Sequence, residues 1–383
     1  MASNIFNYYP KYDVLDNMIS QAPNSTAINL FVDLRGCMFS LYQDWAMDFI
    51  VKENVGRTMD DTIMTSILEF ISFHKLYAYK RKLNIKIFIF LEHGISTYHK
   101  DIYKYYKSNR EQSKTTLSLD VINEFKKIYK TNIECSDKIF NRIPNVHIIR
   151  LQFLEADFMP YYIRKRILGE FNNDIDIIYS TDKDMLQCLD NSRTFVYYRH
   201  NHQKVGVRKI LNRFNAFAHY LKTETSNIDI KWFDVFLAIQ GDVSDGIPPV
   251  QSGFGIKRIA ERFEGIIKMV GGSREVLFDN IRNKRKLFVN TDGINDKYLL
   301  ELINKENDFL RNLKLCSYEL ISDYVDGGFP AQVIEIKRNI ENIVNNPNKI
   351  KDGSILFGAI KQLGLTNNLT EELVLNSFLG GVS

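Results

Sequence analysis

Cysteine is scarce and scattered: Cys37, Cys135, Cys188 and Cys316 lie far apart with no CxxC pair. That excludes a zinc-ribbon spacing and offers no disulfide framework, so buried reduced thiols of a cytosolic protein are expected. Charge of one sign is also missing. Fifty Lys and Arg stand against 46 Asp and Glu, a formal +4, too small for bulk charge to name a partner. No apolar run approaches the ~20 residues of a membrane helix, and Ile87 to Leu91, the strongest, has strand length. The amino terminus lacks a basic region followed by an apolar one, so no leader is read there and an intracellular, cytoplasmic location is expected. Internal repeats and low-complexity tracts are absent as well.

What is present is local. Residues 200–222 hold Lys204, Arg208, Lys209, Arg213 and Lys222 with no acid, a basic stripe suited to a polyanion. Hydrophobic content of 45% and 383 residues allow one large core plus a second lobe or extension.

Short β-branched and aromatic runs mark strands over Ala27 to Val32, Ile85 to Leu91, Val146 to Leu151 and Ile177 to Tyr179. A ribbon follows over Thr194 to Val207, turning near Asn201. Helical spacing separates these runs, as in Met59 to Lys82. Strands alternating with helices predict an α/β fold with a twisted, mostly parallel sheet.

Acids recur where these strands end. Asp33 closes the first and Glu92 the second; Glu155 and Asp157 follow the third, Asp182 and Asp184 the fourth, and Asp242 and Asp245 follow a later helical segment. Each pair alone also reads as a helix start, with Asp182 or Thr181 as cap and Asp184 as a first-turn acid. Taken together they converge on one sheet edge, where α/β proteins bind ligands. Such a cluster repels itself unless cations neutralise it, and carboxylates are the ligands Mg²⁺ prefers. Two such ions suit phosphodiester hydrolysis.

Two further stretches concern a nucleic-acid partner. From Ser96 to about Lys130, Lys100, Lys104 and Lys107 interleave with Tyr98, Tyr103, Tyr105 and Tyr106. Basic groups over phosphates and rings against bases make a single-strand clamp; a solvated amphipathic helix with docked tyrosines is the plainer alternative. The turn Gly253-Phe-Gly255-Ile-Lys257-Arg258 opens a helix and is either a grip on one backbone phosphate or an ordinary helix corner.

In the order Phe-Val-Asp33, Tyr-Lys-Ser-Asn-Arg110, Glu155-Ala-Asp157, Ser-Thr-Asp182-Lys-Asp184, Gly241-Asp242-Val-Ser-Asp245-Gly-Ile-Pro and Gly253-Phe-Gly255-Ile-Lys257, the chain resembles the 5′-nuclease superfamily over roughly residues 27–265. In tone it is most similar to phage ribonuclease H of the T-even type. The resemblance implies a PIN-like 5′-nuclease fold in four parts: a lead-in (1–26), a nuclease domain (27–230) carrying a helical arch (96–130), a helix–two-turn–helix element (231–265) and a helical C-terminal region (266–383). It implies a Mg²⁺-dependent 5′→3′ exonuclease and flap endonuclease, with Mn²⁺ as substitute, removing RNA primers and 5′ flaps from duplex DNA during replication. Asp33, Glu155, Asp157 and Asp182 would serve a first ion, with Glu92 as a further candidate, and Asp184, Asp242 and Asp245 a second. Lys100, Lys107 and Arg110 match the arch's basic positions, which contact the scissile phosphate or threaded strand. Tyr103, Tyr106, Lys204, Arg208, Gly253, Gly255, Lys257 and Arg258 would bind nucleic acid, with a K⁺ ion at the two-turn element. A monomer with no membrane contact is expected, and the C-terminal region could meet a single-strand-binding protein or sliding clamp.

The sequence departs from the superfamily's pattern in three places. Phe158 stands where an Asp usually follows the Ala-Asp pair, Glu92-His-Gly needs a one-residue gap to align, and the arch Arg falls on His99 or Lys100. A catalytically weak binding module of the same fold is the first alternative, and a Mg²⁺ hydrolase of small phosphates the second.

Overall fold

The computed structural model describes residues 12–21, 27–36, 59–91, 97–108, 143–150, 155–169, 174–180, 182–199 and 208–329, with isolated positions at 123–140 and 331–338. Six strands form one sheet: β1 (Ala27–Asp33), β2 (Asn84–Leu91), β3 (Val146–Arg150), β4 (Ile175–Ser180), β5 (Thr194–Arg199) and β6 (Arg208–Leu211). Their order is β3-β2-β1-β4-β5-β6, parallel except for the antiparallel β5–β6 pair. The expected ribbon therefore exists, with its second strand displaced to Arg208–Leu211. Its expected turn lies outside the described residues.

Alternation along the strands builds two cores. Ile28, Leu30 and Val32 of β1 face one side with Ile87, Ile89, Ile177 and Tyr179, against α1 (Tyr12–Ser20) and α2 (Met59–Lys80). Phe31 faces the other side with Phe88, Phe90 and Ile178, its ring stacked 5.2 Å from Phe88. That second core is the larger. It takes in Phe158, α4 (Met159–Tyr162) and Ile163, then α5 (Ala216–Leu221), α6 (Phe233–Gln240) and α7 (Ile256–Met269). It continues without a break through α8 (Arg274–Arg282), α9 (Lys297–Asn304), α10 (Glu306–Cys316) and α11 (Tyr318–Gly328). Buried Asn312 ties this region to α6, its amide donating to the carbonyls of Ala238 at 2.9 Å and Pro248 at 2.8 Å. No described helix is long and apolar enough to cross a membrane.

The strand order fixes where a ligand belongs. From β1 the chain moves outward to β2 and β3, then returns to place β4 on β1's other side, so the order reverses between β1 and β4. Crossover connections leave to opposite faces there, opening a crevice beyond the strands' carboxyl ends. Asp33 ends β1, and Asp182 follows β4 by two residues.

Candidate metal and nucleic-acid site

Local backbone chemistry sets each acid. Asp33 accepts from the Gly36 amide at 3.2 Å, yet burial still pushes its carboxyl up to about 6. Asp182 accepts from the Asp184 amide at 2.9 Å and caps the 3₁₀ helix Lys183–Cys188. The capping role and the position on the crevice are thus one arrangement, because the cap uses one carboxylate oxygen and leaves the other. Glu155 precedes the 3₁₀ turn Ala156–Phe158, which carries Asp157. Gly241 has φ 73°, and an added Cβ would meet Pro249 N at 2.5 Å and Ile247 O at 2.6 Å. Only glycine fits that approach, which lets Asp242 and Ile247 exchange two amide bonds of 2.8 Å and present Asp242 and Asp245 from one tight turn.

Two lysines answer these charges. Lys107, in a left-handed conformation (φ 56°), donates its amide to Asp245 O at 2.7 Å. Its ammonium lies 2.5 Å from Glu155 Oε2 and 3.5 Å from Asp245 Oδ2. Lys183, between Asp182 and Asp184 in sequence, reaches Asp242 Oδ2 at 2.5 Å. The Tyr106 hydroxyl stands 3.0 Å from Glu155 Oε2 and 3.1 Å from Asp245 Oδ2, and His99 stacks on its ring at 4.4 Å.

The electrostatics follow from this pairing. Burial drives Asp157 and Asp184 well above the ordinary carboxylate range, and neighbouring acids, Glu155 and Asp182 first, add to it. Burial raises Asp182 as well. For Glu155 and Asp242 burial pushes the same way, but Lys107 and Lys183 respectively outweigh it and hold both carboxyls low. Lysine charge thus stabilises the ionised form of Glu155 and Asp242, while burial favours the protonated form of Asp157, Asp182 and Asp184.

Among the described residues no three acid, imidazole or thiol groups lie close enough to hold one ion as they stand. The donor set nevertheless fits hard divalent cations. It is all carboxylate oxygen, and Asp184 Oδ1 is buried with no hydrogen-bond partner. An unpartnered buried carboxylate oxygen beside further acids is an open ligand position.

Of the residues expected here, the structure brings Asp33, Glu155, Asp157, Asp182, Asp184, Asp242, Asp245 and Lys107 to one edge. Glu92, Arg110 and Lys204 lie outside the described residues, as does most of the arch; Arg208 opens β6 and its side chain is not described. Lys100 is exposed on the short helix α3 (Thr97–Ile102), which falls between α2 and β3 in the chain. Tyr106 is placed differently from the stacking role expected of it: buried to 5% exposure, it uses its hydroxyl among the carboxylates. Tyr103 is half-buried, with the Arg311 guanidinium 5.2 Å over its ring. Gly253 has φ 77°, Gly255 caps α7, and Lys257 and Arg258 are exposed in its first turn, with Phe254 stacked on Tyr298 at 5.1 Å beneath. Sequence reasoning passed over Lys183, for which a lysine flanked by two site acids was the available signal. His99, noted only as one of two positions on which the arch Arg falls, packs against the Tyr106 ring, a role the sequence did not signal.

No family model matches the chain, and no curated relative matches its sequence. Among solved structures it is similar to the bacteriophage T5 flap endonuclease in a pseudo-enzyme–product complex with DNA and metal ions. Identity is 17% and the TM-score 0.57, covering 83% of this chain and 99% of that one. A T5 protein co-crystallised with metal ions gives 18% identity and a TM-score of 0.56 over 83% and 99%. A T5 5′-exonuclease with bound zinc gives 17% and 0.51 over 88% and 98%. The chain has the 5′-nuclease fold.

Proposed function

We propose that this chain is a divalent-metal-dependent 5′ nuclease that hydrolyses phosphodiesters in 5′ flaps and RNA primers on duplex DNA. The observation that carries the reading is the mutual repulsion of seven carboxylates, Asp33 with Asp182, Asp157 with Glu155, Asp182 and Asp184, and Asp184 with Asp242 and Asp245, with Lys107 paired among them. Asp33, Glu155, Asp157 and Asp182 would hold a first Mg²⁺, and Asp184, Asp242 and Asp245 a second. When bound, such ions supply Lewis acidity toward the phosphodiester and activate the attacking water.

The chain's own residues do the rest. Lys107, released from Glu155 when divalent charge replaces its own, offers its ammonium to a phosphate oxygen at the same edge. Lys100, and Arg110 beyond it, would extend that basic surface along the incoming strand. The exposed first turn of α7, with Lys257 and Arg258, grips one backbone phosphate of the duplex, with a K⁺ ion at the two-turn element. Specificity for a 5′ end then comes from the distance between the α7 grip and the carboxylates.

Cleavage of a 5′-labelled flap duplex beside an RNA-primed one, with Mg²⁺ and with EDTA, tests this. Products that need Mg²⁺ and vanish in Asp182→Ala are expected; cleavage retained by Asp182→Ala would sink the mechanism. A second reading, a structure-specific binding module of the same fold, has in its favour that Glu155, Asp242 and Asp245 are paired with lysines. It predicts duplex binding with no products in either lane.

A further inference from the structure

Tyr318 begins α11 just after the bend that follows α10, and it is 4% exposed. Its ring meets Phe158, the residue after Asp157, edge-on at 5.8 Å, and Tyr161 at 5.7 Å. Its amide donates to Gln187 Oε1 at 3.0 Å, while Gln187 Nε2 donates to the Cys316 carbonyl at 2.9 Å. Gln187 belongs to the short helix that carries Asp184, so this pair of bonds latches Asp184's helix to the α10–α11 bend.

The hydroxyl itself is the anomaly. It is buried and has no hydrogen-bond partner, and Asp184 Oδ1 is buried and unpartnered as well. One orphan is a donor and the other an acceptor. Burial, then the charges of Asp157, Asp184 and Asp182, push the phenol well above its ordinary value, so it keeps its proton at any working pH. A buried hydroxyl left unpaired forfeits its hydration, and phenylalanine would fill the same space without that cost. The oxygen therefore has a role that packing does not supply.

We propose that Tyr318 is a positioning residue of the site, its hydroxyl donating its one proton to the Asp184 carboxylate when the cluster holds divalent ions and so fixing which of that carboxylate's oxygens faces them. This rests on the metal-dependent reading above. The C-terminal region is then part of the site and not an appended scaffold.

The test is Tyr318→Phe on the full chain, with Mn²⁺ binding followed by calorimetry, melting in EDTA, and flap cleavage. The expected result is an EDTA melting temperature equal to or above the parent's, five- to tenfold weaker Mn²⁺ binding, and a lower kcat at unchanged KM. Parent-like Mn²⁺ affinity and kcat would overturn the proposal. So would a lowered melting temperature in EDTA with unchanged Mn²⁺ affinity, which marks a purely structural hydroxyl. A parent protein that binds no Mn²⁺ refutes the metal-dependent reading itself, before any variant is compared.

Discussion

Removing the Lys107 ammonium isolates the balance between protein cations and metal ions. At 2.5 Å from Glu155 and 3.5 Å from Asp245 its direct attractions are large. With an effective dielectric of about 20 they come to roughly 7 and 5 kcal/mol. Desolvation of the ammonium offsets most of this, and removing one partner of a buried pair costs about 3–5 kcal/mol in practice. Lys107→Met keeps the stem over the Tyr106 ring, where the ammonium now sits 4.9 Å from the centroid, so packing changes little. In EDTA, then, a loss of about 3 kcal/mol is expected, which for a chain of 383 residues is a fall of roughly 4 °C in Tm. Saturating Mn²⁺ should reverse the sign of the comparison. The ions no longer compete with a resident cation, so Mn²⁺ binds Lys107→Met at least tenfold more tightly than the parent while cleavage is lost. Differential scanning fluorimetry and titration calorimetry read both halves. An unchanged Tm in EDTA, or Mn²⁺ binding no tighter than the parent's, refutes the idea that Lys107 neutralises these carboxylates.

Three further outcomes are expected. Asp157, Asp182 and Asp184 are raised and Asp33 lies at about 6, so these groups favour the metal-free fold at low pH and that contribution drains away as pH rises through their folded values. Divalent ions bind only the ionised forms. Mn²⁺ affinity should thus climb from pH 6 to 8 with net proton release, measurable in buffers of different ionisation enthalpy; binding without proton release contradicts the shifts. Buried His74 donates from Nδ1 to the Phe70 carbonyl at 2.8 Å and accepts the Tyr179 hydroxyl, and burial lowers it from 6.5 to about 4. Its contribution, whole above pH 6.5, is lost as pH falls toward 4, about 3 kcal/mol in all. Urea midpoints of His74→Phe should be that much less acid-sensitive than the parent's, and equal sensitivity would dismiss the assignment. Lys257→Ala should weaken flap-duplex binding across sequences and lower the salt slope by about one, read by fluorescence anisotropy between 50 and 200 mM salt. An unchanged slope removes Lys257 from the phosphate contacts.

The sheet was legible because its strands are short β-branched runs with acids at their ends, and both signals are local. Strands β1 to β4 lie within two residues of the expected runs, with β4 the furthest off, beginning at Ile175. The 3₁₀ form of the Lys183–Cys188 helix was not legible, since it depends on Asp182 capping the amide two residues on. Tyr106 shows the limit of composition. Its position among lysines and tyrosines reads as an exposed clamp, whereas contacts 49 and 139 residues away, to Glu155 and Asp245, bury it. Tyr318 carried no sequence signal at all: its neighbour Phe158 is distant in the chain, and the helical pattern of the C-terminal region looks the same whether it scaffolds or completes a site.

The continuity of the larger core has a consequence for the order in which the molecule comes into being. Asp33 and Asp245 emerge early from the ribosome relative to Tyr318, and the Tyr98 hydroxyl awaits the Lys314 carbonyl, 216 residues further on. His99, stacked behind Tyr106, waits equally for the Leu315 backbone. Closing contacts of such separation is slow, and a nascent chain must leave the site's floor open until α10 and α11 have been made. On the function proposed above, the site of such a chain stays incomplete through most of its own synthesis.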